Sequence, residues 1–316
     1  MRTRVWTASA VAMGLALAAC GSDGDDKTAE PTPAPSATAT PVPMGSPSPA
    51  ANTNEEAASP FVSLAAPESV AGGYKLVWSD EFTGAALGPD WVARNVRAAN
   101  RACSPPSPDQ TTVSDGSAHL QVSRDPSKVP NVTKACPDGQ FLNAMIGTDT
   151  SQKFLRGIFA ARIKFPAVQG AHGSFWLQPL PEPGYNPKDP AQAGVEIDVA
   201  EYFGKGFDQS SLTNFIHFRP VGEKPLRSGG YVKNMEEVFG DELPSDDYHV
   251  YSVEWTAKEY VFRIDGIETF RTSKAVSNVP EYFILSLLSS DYEIPKITDD
   301  VLPLTMSVDW VRAWQK

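Results

Sequence analysis

Six consecutive residues, Glu196-Ile197-Asp198-Val199-Ala200-Glu201, crowd three carboxylates into a run whose other members are all apolar. Packing gives no reason for such a run, because a buried carboxylate costs free energy unless it is paired. Chemistry gives one. Two carboxyl groups held in different protonation states, one attacking and one donating a proton, are the working parts of glycosidic-bond cleavage. Like charges close together raise the pKa of one member and so hold the two states apart.

A strand is the element that would position them. Side chains alternate along a strand, so Glu196 and Asp198 share one face while Ile197 and Val199 take the other. Glu201 is three residues beyond Asp198, and regular alternation sends it to the wrong face. A β-bulge at Val199-Ala200 adds one residue and restores it. The Glu196 and Glu201 backbones would then stand roughly 13 Å apart, at about 3.3 Å per residue over four effective steps. Two inward-leaning side chains could close that to ~5–5.5 Å between carboxyls, the separation of a retaining mechanism. Asp198 between them can hold a proton or a hydrogen bond that orients its neighbours. For the triplet alone, a solvated strand edge with spare acids stays open as the alternative.

The rest of the chain from about Gly72 to Lys316 supplies strands. Tyr74–Trp78, Ala118–Ser123, Gly157–Phe165, Leu212–Phe218, Tyr248–Trp255, Tyr282–Leu288 and Met306–Trp314 are rich in β-branched and aromatic residues. Asp265-Gly266 separates Tyr260–Ile264 from Ile267–Arg271, a two-residue hairpin signal. Helical periodicity is weak, and short helices are expected only near Lys188–Gln192 and Met235–Phe239. The prediction is one all-β domain over 72–316, a sandwich or jelly roll of two antiparallel sheets.

The residues around the triplet carry a family resemblance. Glu196–Glu201 followed by Tyr202-Phe203-Gly204 resembles the catalytic strand of glycoside hydrolase family 16, in its bulged, laminarinase-like form. Trp78-Ser79-Asp80-Glu81-Phe82 resembles that family's opening strand. Gly173-Ser174-Phe175-Trp176-Leu177 and Asn214-Phe215-Ile216-His217 resemble the strands before and after the catalytic one. Tyr248–Trp255, Asp265-Gly266 and Val308-Asp309-Trp310-Val311-Arg312 complete the series in order.

The resemblance implies a jelly-roll sandwich with a concave sugar-binding cleft, and retaining endo-hydrolysis of a β-linked polysaccharide such as β-1,3- or β-1,3-1,4-glucan. It implies Glu196 as nucleophile, Asp198 as its helper and Glu201 as acid/base. Trp176 would stack on a sugar, His217 would lie beside the acids and hydrogen-bond substrate or carboxylate, and His172, in a loop bordering the cleft, could bind sugar. No cofactor is required for catalysis. A structural calcium is common in the family, and by position Glu81 and Asp309 could contribute oxygen ligands. Ala171-His172-Gly173-Ser174 stands where the β-1,3-glucanases usually carry Trp-Pro, and Ser289-Ser290-Asp291-Tyr292 replaces their Gly-rich, Trp-containing loop. A transglycosylase on the same scaffold and a non-catalytic carbohydrate-binding lipoprotein are the competing readings.

Composition bounds the partners. The formal charge is −11, which disfavours nucleic acid and other polyanions. A polysaccharide partner and a monomer are expected. Residues 1–19, with Arg2 and Arg4 before the apolar Val11–Ala19, read as an export signal. Leu17-Ala18-Ala19-Cys20 resembles a bacterial lipobox, which would lipidate Cys20 and hold the protein at the outer face of a cell membrane, its only membrane contact. Signal cleavage near Ala18 is the alternative. Residues 20–71 are rich in Pro, Ala, Ser and Thr and read as an unfolded tether. With Cys20 set aside, Cys103 and Cys136 form an even pair in an exported chain. A disulfide between them would contribute roughly 3–4 kcal/mol. Two buried thiols are the alternative.

Overall fold

The computed structural model describes residues 72–96, 98–128, 131–207 and 211–316. The export signal, Cys20 and the tether lie outside the described residues. Along the chain run β1 (Lys75–Asp80), β2 (Val92–Ala93), β3 (Thr111–Ser114), β4 (Ser117–Arg124), β5 (Phe141–Leu142) and β6 (Ala144–Gly147). Then come β7 (Gly157–Lys164), β8 (His172–Pro179), β9 (Glu196–Tyr202), β10 (Leu212–Phe218) and β11 (Leu226–Tyr231). The last are β12 (His249–Trp255), β13 (Tyr260–Ile264), β14 (Ile267–Thr272), β15 (Glu281–Leu288) and β16 (Leu304–Gln315). Two short α-helices, α1 (Pro190–Ala193) and α2 (Met235–Phe239), fall within two residues of where the sequence places them.

The strands form two antiparallel sheets. One has the order β14-β13-β12-β7-β16-β4-β3, with β1 on β16 and β5 on β4. The other runs β11-β10-β9-β8-β15-β6-β2 and places the carboxylate strand β9 near its middle. The expected two-sheet, all-β architecture is the one observed. The β13–β14 hairpin closes at Asp265-Gly266, with φ of 47° and 83°. Both residues are left-handed, as the two-residue turn that matches strand twist requires.

Between the sheets lies a dry core. Phe283 on β15 sits at the back of the β9 sheet, its ring centroid 4.9 Å from Phe154, 5.5 Å from Phe159 and 5.7 Å from Phe175. Ile197, Val199, Ala200 and Tyr202 turn into this core from β9. Cys103 and Cys136 form the expected disulfide. It fastens the loop before β3, whose Ala102 and Cys103 amides donate to the Asp291 carboxylate at 3.1 and 3.0 Å.

One core group is not apolar. Glu281 opens β15 and is fully buried, with Oε2 unpartnered and Oε1 accepting a long 3.5 Å bond from the Val195 amide. Burial, with Glu196 adding to it, drives its pKa well above the ordinary carboxylate range, against the Ser277 and Val195 hydrogen bonds. The folded state therefore keeps this proton after the unfolded chain has released it. The sign follows: Glu281 costs nothing below the unfolded pKa, and stability falls as pH rises above it toward the folded pKa. Glu281→Gln is neutral at every pH, so its thermal midpoint should exceed the parent's at pH 7 and converge with it toward pH 4. Parallel melting curves across that range would overturn the assignment.

Candidate active site

The bulge that parity demands is present. On the β10 side, Glu201 pairs with Thr213 and Asp198 with Phe215, three residues of β9 against two of β10. On the β8 side, Ala200 pairs with Phe175 and Asp198 with Trp176, so Val199 is the extra residue. Val199 and Ala200 are both buried in the core, and Glu196, Asp198 and Glu201 consequently share the opposite face. A bulge leaves a backbone group outside the ladder. Here the Asn214 side-chain amide donates to the Val199 carbonyl at 2.7 Å. Thr269 of the other sheet donates to Asn214 Oδ1 at 2.7 Å and fixes the orientation of that amide. Asn214 is 1% exposed.

Each acid has different neighbours. Glu196 receives Arg219 Nη1 on both oxygens at 3.3 Å, and Gln178 Nε2 on Oε2 at 3.4 Å. Tyr282 donates to Gln178 Oε1 at 2.9 Å and so holds that amide toward Glu196. Asp198 is 5% exposed, with Oδ2 3.2 Å from His217 Nε2. One ligand-type atom from each of Glu196, Asp198 and His217 lies within 4.8 Å of the others. Glu201 Oε1 meets His172 Nε2 at 2.9 Å, and Thr213 donates to Oε2 at 3.0 Å. His172 is stacked on Phe203 at 4.5 Å, which holds the imidazole in place.

These surroundings sort the protons. Burial pushes the Asp198 carboxyl well above its usual range, and the Glu201 and Glu196 charges push the same way. Burial also pulls His217 down toward its neutral form, against the attraction of Glu196 and Glu201. Both shifts favour the uncharged forms of the Asp198–His217 pair. Burial pushes Glu201 up as well. The His172 hydrogen bond and charge, the Thr213 hydroxyl and His217 outweigh it, and the Glu201 pKa ends below the ordinary value. Burial and the two Glu charges favour a proton on Asp198, while donors on both oxygens favour the ionised form of Glu201.

Other expected residues fall on or off this face. His172 and His217 each touch an acid, as above. Trp176 is on the face beside Asp198, 8% exposed, packed with Met145, Tyr282, Ile284 and Leu288, and its indole N–H donates to Ser286 at 3.1 Å. It forms floor rather than a projecting ledge. Glu81 and Asp309, the expected oxygen ligands, each meet a guanidinium. Glu81 accepts two bonds from Arg312 at 2.8 and 2.7 Å, and Asp309 pairs with Arg162 at 2.7 Å. A guanidinium already neutralises each carboxylate, so the pair does not fit a calcium. Strand alternation from His217 could have indicated Arg219. Asn214, Thr213 and Gln178 carry no signal in sequence, since their roles depend on which strands are neighbours.

A two-sheet jelly roll with three acids on one face of a central, bulged strand is a carbohydrate-active architecture. The family model for glycosyl hydrolases family 16 matches residues 107–310. That is more than half of the chain, which belongs to this family. A curated relative, glucan endo-1,3-beta-glucosidase A1 of Niallia circulans, is 26% identical over 294 residues. The match covers 81% of this chain but only 40% of that protein. Among solved structures, the laminarinase catalytic domain from Thermotoga maritima aligns over 77% of this chain and 98% of its own, with TM-score 0.58 and 18% identity. A structure from work on endo-acting O-glycanases of the human gut microbiota that initiate mucin breakdown aligns over 79% and 93%, with TM-score 0.61 and 22% identity. At these identities the likeness is one of fold.

Proposed function

We propose that this chain is a retaining endo-hydrolase of a β-linked polysaccharide, with β-1,3- or β-1,3-1,4-glucan as the first substrates to test. The observation that carries the reading is the bulge: it turns Glu201 onto the face of Glu196, with Asp198 buried between them and its carboxyl pushed toward the neutral form. The relative from Niallia circulans, a glucan endo-1,3-beta-glucosidase by name, supports glucan.

In this reading the Glu196 carboxylate, oriented by Arg219 and Gln178, attacks the anomeric carbon. Glu201 gives a proton to the departing oxygen. Water then cleaves the glycosyl-enzyme ester, with Glu201 taking a proton back. Glu201 is ionised in the free state, so it must gain its proton as substrate binds. Burial already pushes its pKa up, and a sugar covering the face excludes more water and strengthens that push. His172, in contact with Glu201 Oε1, is the adjacent group that can pass the proton.

The test is a panel of β-glucans, galactans and cell-wall polysaccharides followed by reducing ends, with NMR of the first-formed anomer. Mid-chain cleavage with the β-anomer appearing first is expected. No turnover on any member would sink the hydrolase reading, and first-formed α-anomer would sink the retaining one. We also propose export with lipidation at Cys20. A labelled lipid precursor should enter the parent chain and not Cys20→Ser.

A further inference from the structure

The chain is acidic, yet guanidinium groups gather around the three acids. Arg219 lies on Glu196, and Arg227 pairs across the sheet with His217. Arg227 is exposed, lies 3.8 Å over the Phe215 ring, and has no carboxylate partner among the described ion pairs. Both arginines are close enough to act electrostatically on Asp198 and His217.

Arg101 is the more unusual of the set. It is 8% exposed, and its Nε is buried without a hydrogen-bond partner. No hydrogen bond or ion pair to its guanidinium is found among the described residues. Its turn is bonded through Asn100 to Asp291 in the loop after β15, whose Leu288 pairs with His172 beside Glu201, and it lies within electrostatic reach of Glu293, the exposed Tyr292, Asp291 and Glu201. Nearby acids do not bond to it. Asp291 is engaged by the Ala102 and Cys103 amides, and Glu293 accepts the Ser290 amide at 2.6 Å. The turn carrying Arg101 is rigid, because Asn100 O accepts the Asp291 amide at 2.8 Å and Cys103 is in the disulfide. A buried guanidinium with open donors is costly unless a ligand completes it. Its planar fork suits a carboxylate or sulfate, taken bidentately, far better than a lone hydroxyl.

We propose that this site reads an anionic substituent on the sugar chain, a sulfate ester or a carboxylate, through Arg101 on the Glu201 side, with Arg227 supplying a second positive group on the Glu196 side. The inference rests on the reading that this face holds a polysaccharide, and it names the class of polysaccharide. The overall negative charge then repels polyanions in general, while the site itself selects chains whose charges match the two arginines.

The experiment uses Glu196→Gln protein, so that binding is read without turnover. Calorimetry would compare three length-matched β-glucan oligosaccharides: neutral, carboxymethylated and sulfated. At least one anionic ligand should bind about 10-fold or more tighter than the neutral one, as charge-assisted bonds are stronger than neutral ones. Adding Arg101→Met should reduce that ratio to near one, Arg101→Lys should recover part of it, and Arg227→Met should reduce it partially. A preference for only one anionic ligand assigns the group that is read. Equal binding of all three, or a loss of neutral and anionic affinity alike in Arg101→Met at unchanged melting temperature, would overturn the proposal. Failure of the hydrolase reading is separate: the parent protein would then cleave no polysaccharide, whatever the binding ratios.

Discussion

Glu196→Gln should leave a folded protein whose hydrolysis of any β-glucan it cleaves falls by about 10⁴-fold or more, the scale seen when a covalent nucleophile is removed. The substitution is nearly isosteric. It replaces a group whose contacts, Arg219 and Gln178, lie on the ligand face rather than in the core. Its melting temperature should therefore stay close to the parent's. Glu201→Gln should be as severe on unactivated substrates. Its first step, read as the burst of released aryl group, should be milder on aryl glycosides whose leaving group needs no proton, because the acid role is bypassed there while the base role in the second step stays lost. Kinetics on a natural glucan and an activated aryl glycoside separate the two roles. A Glu196→Gln protein that keeps its activity would remove Glu196 as nucleophile. A first-step rate on the aryl glycoside as depressed in Glu201→Gln as that on the natural glucan would remove Glu201 as acid.

Asn214→Leu should be the most damaging change outside the acids. It removes the donor to the Val199 carbonyl and the acceptor for Thr269 at a site that is 1% exposed. Stranding the carbonyl costs about 1–3 kcal/mol, and the lost Thr269 bond brings the expected destabilisation to roughly 2–4 kcal/mol. Activity should suffer separately. Without its clamp the bulge can shift, and a one-residue slip in β9 moves every side chain beyond it to the other face. Misplacement of a reacting group by about 1 Å costs on the order of 10²-fold, so kcat well below the melting temperature should fall at least that far. Thr269→Val removes only the outer contact and should be milder in both measurements. Full kcat in a destabilised Asn214→Leu protein would show that the bulge holds without Asn214.

Much of the fold was legible because strand signals are local. Runs of β-branched and aromatic residues marked β1, β4, β7, β10, β12, β15 and β16, and Asp265-Gly266 marked the β13–β14 hairpin. β11 was missed because Leu226-Arg-Ser-Gly-Gly-Tyr231 has no β-branched residue and no alternation. It is a strand because β10 offers a free edge for it to pair with. Cation ligation by Glu81 and Asp309 failed for a similar reason: nothing in sequence shows that Arg312 and Arg162 reach them first.

The sequence by itself determined which groups can react and on which face they must stand. Parity along one strand is a property of the chain alone, and from it follow the shared face of Glu196 and Asp198 and the bulge that Glu201 requires. Only the tertiary structure decided what holds that bulge and which acid favours a proton. Asn214 and Thr269 reach the bulge from 15 and 70 residues past Val199. His172 and Thr213 bring donors to Glu201 from the two flanking strands, and burial pushes the Asp198 carboxyl toward its neutral form. Alternation depends on neighbours along the chain. Desolvation and hydrogen bonding depend on neighbours in space, and these exist only once the sheets have packed.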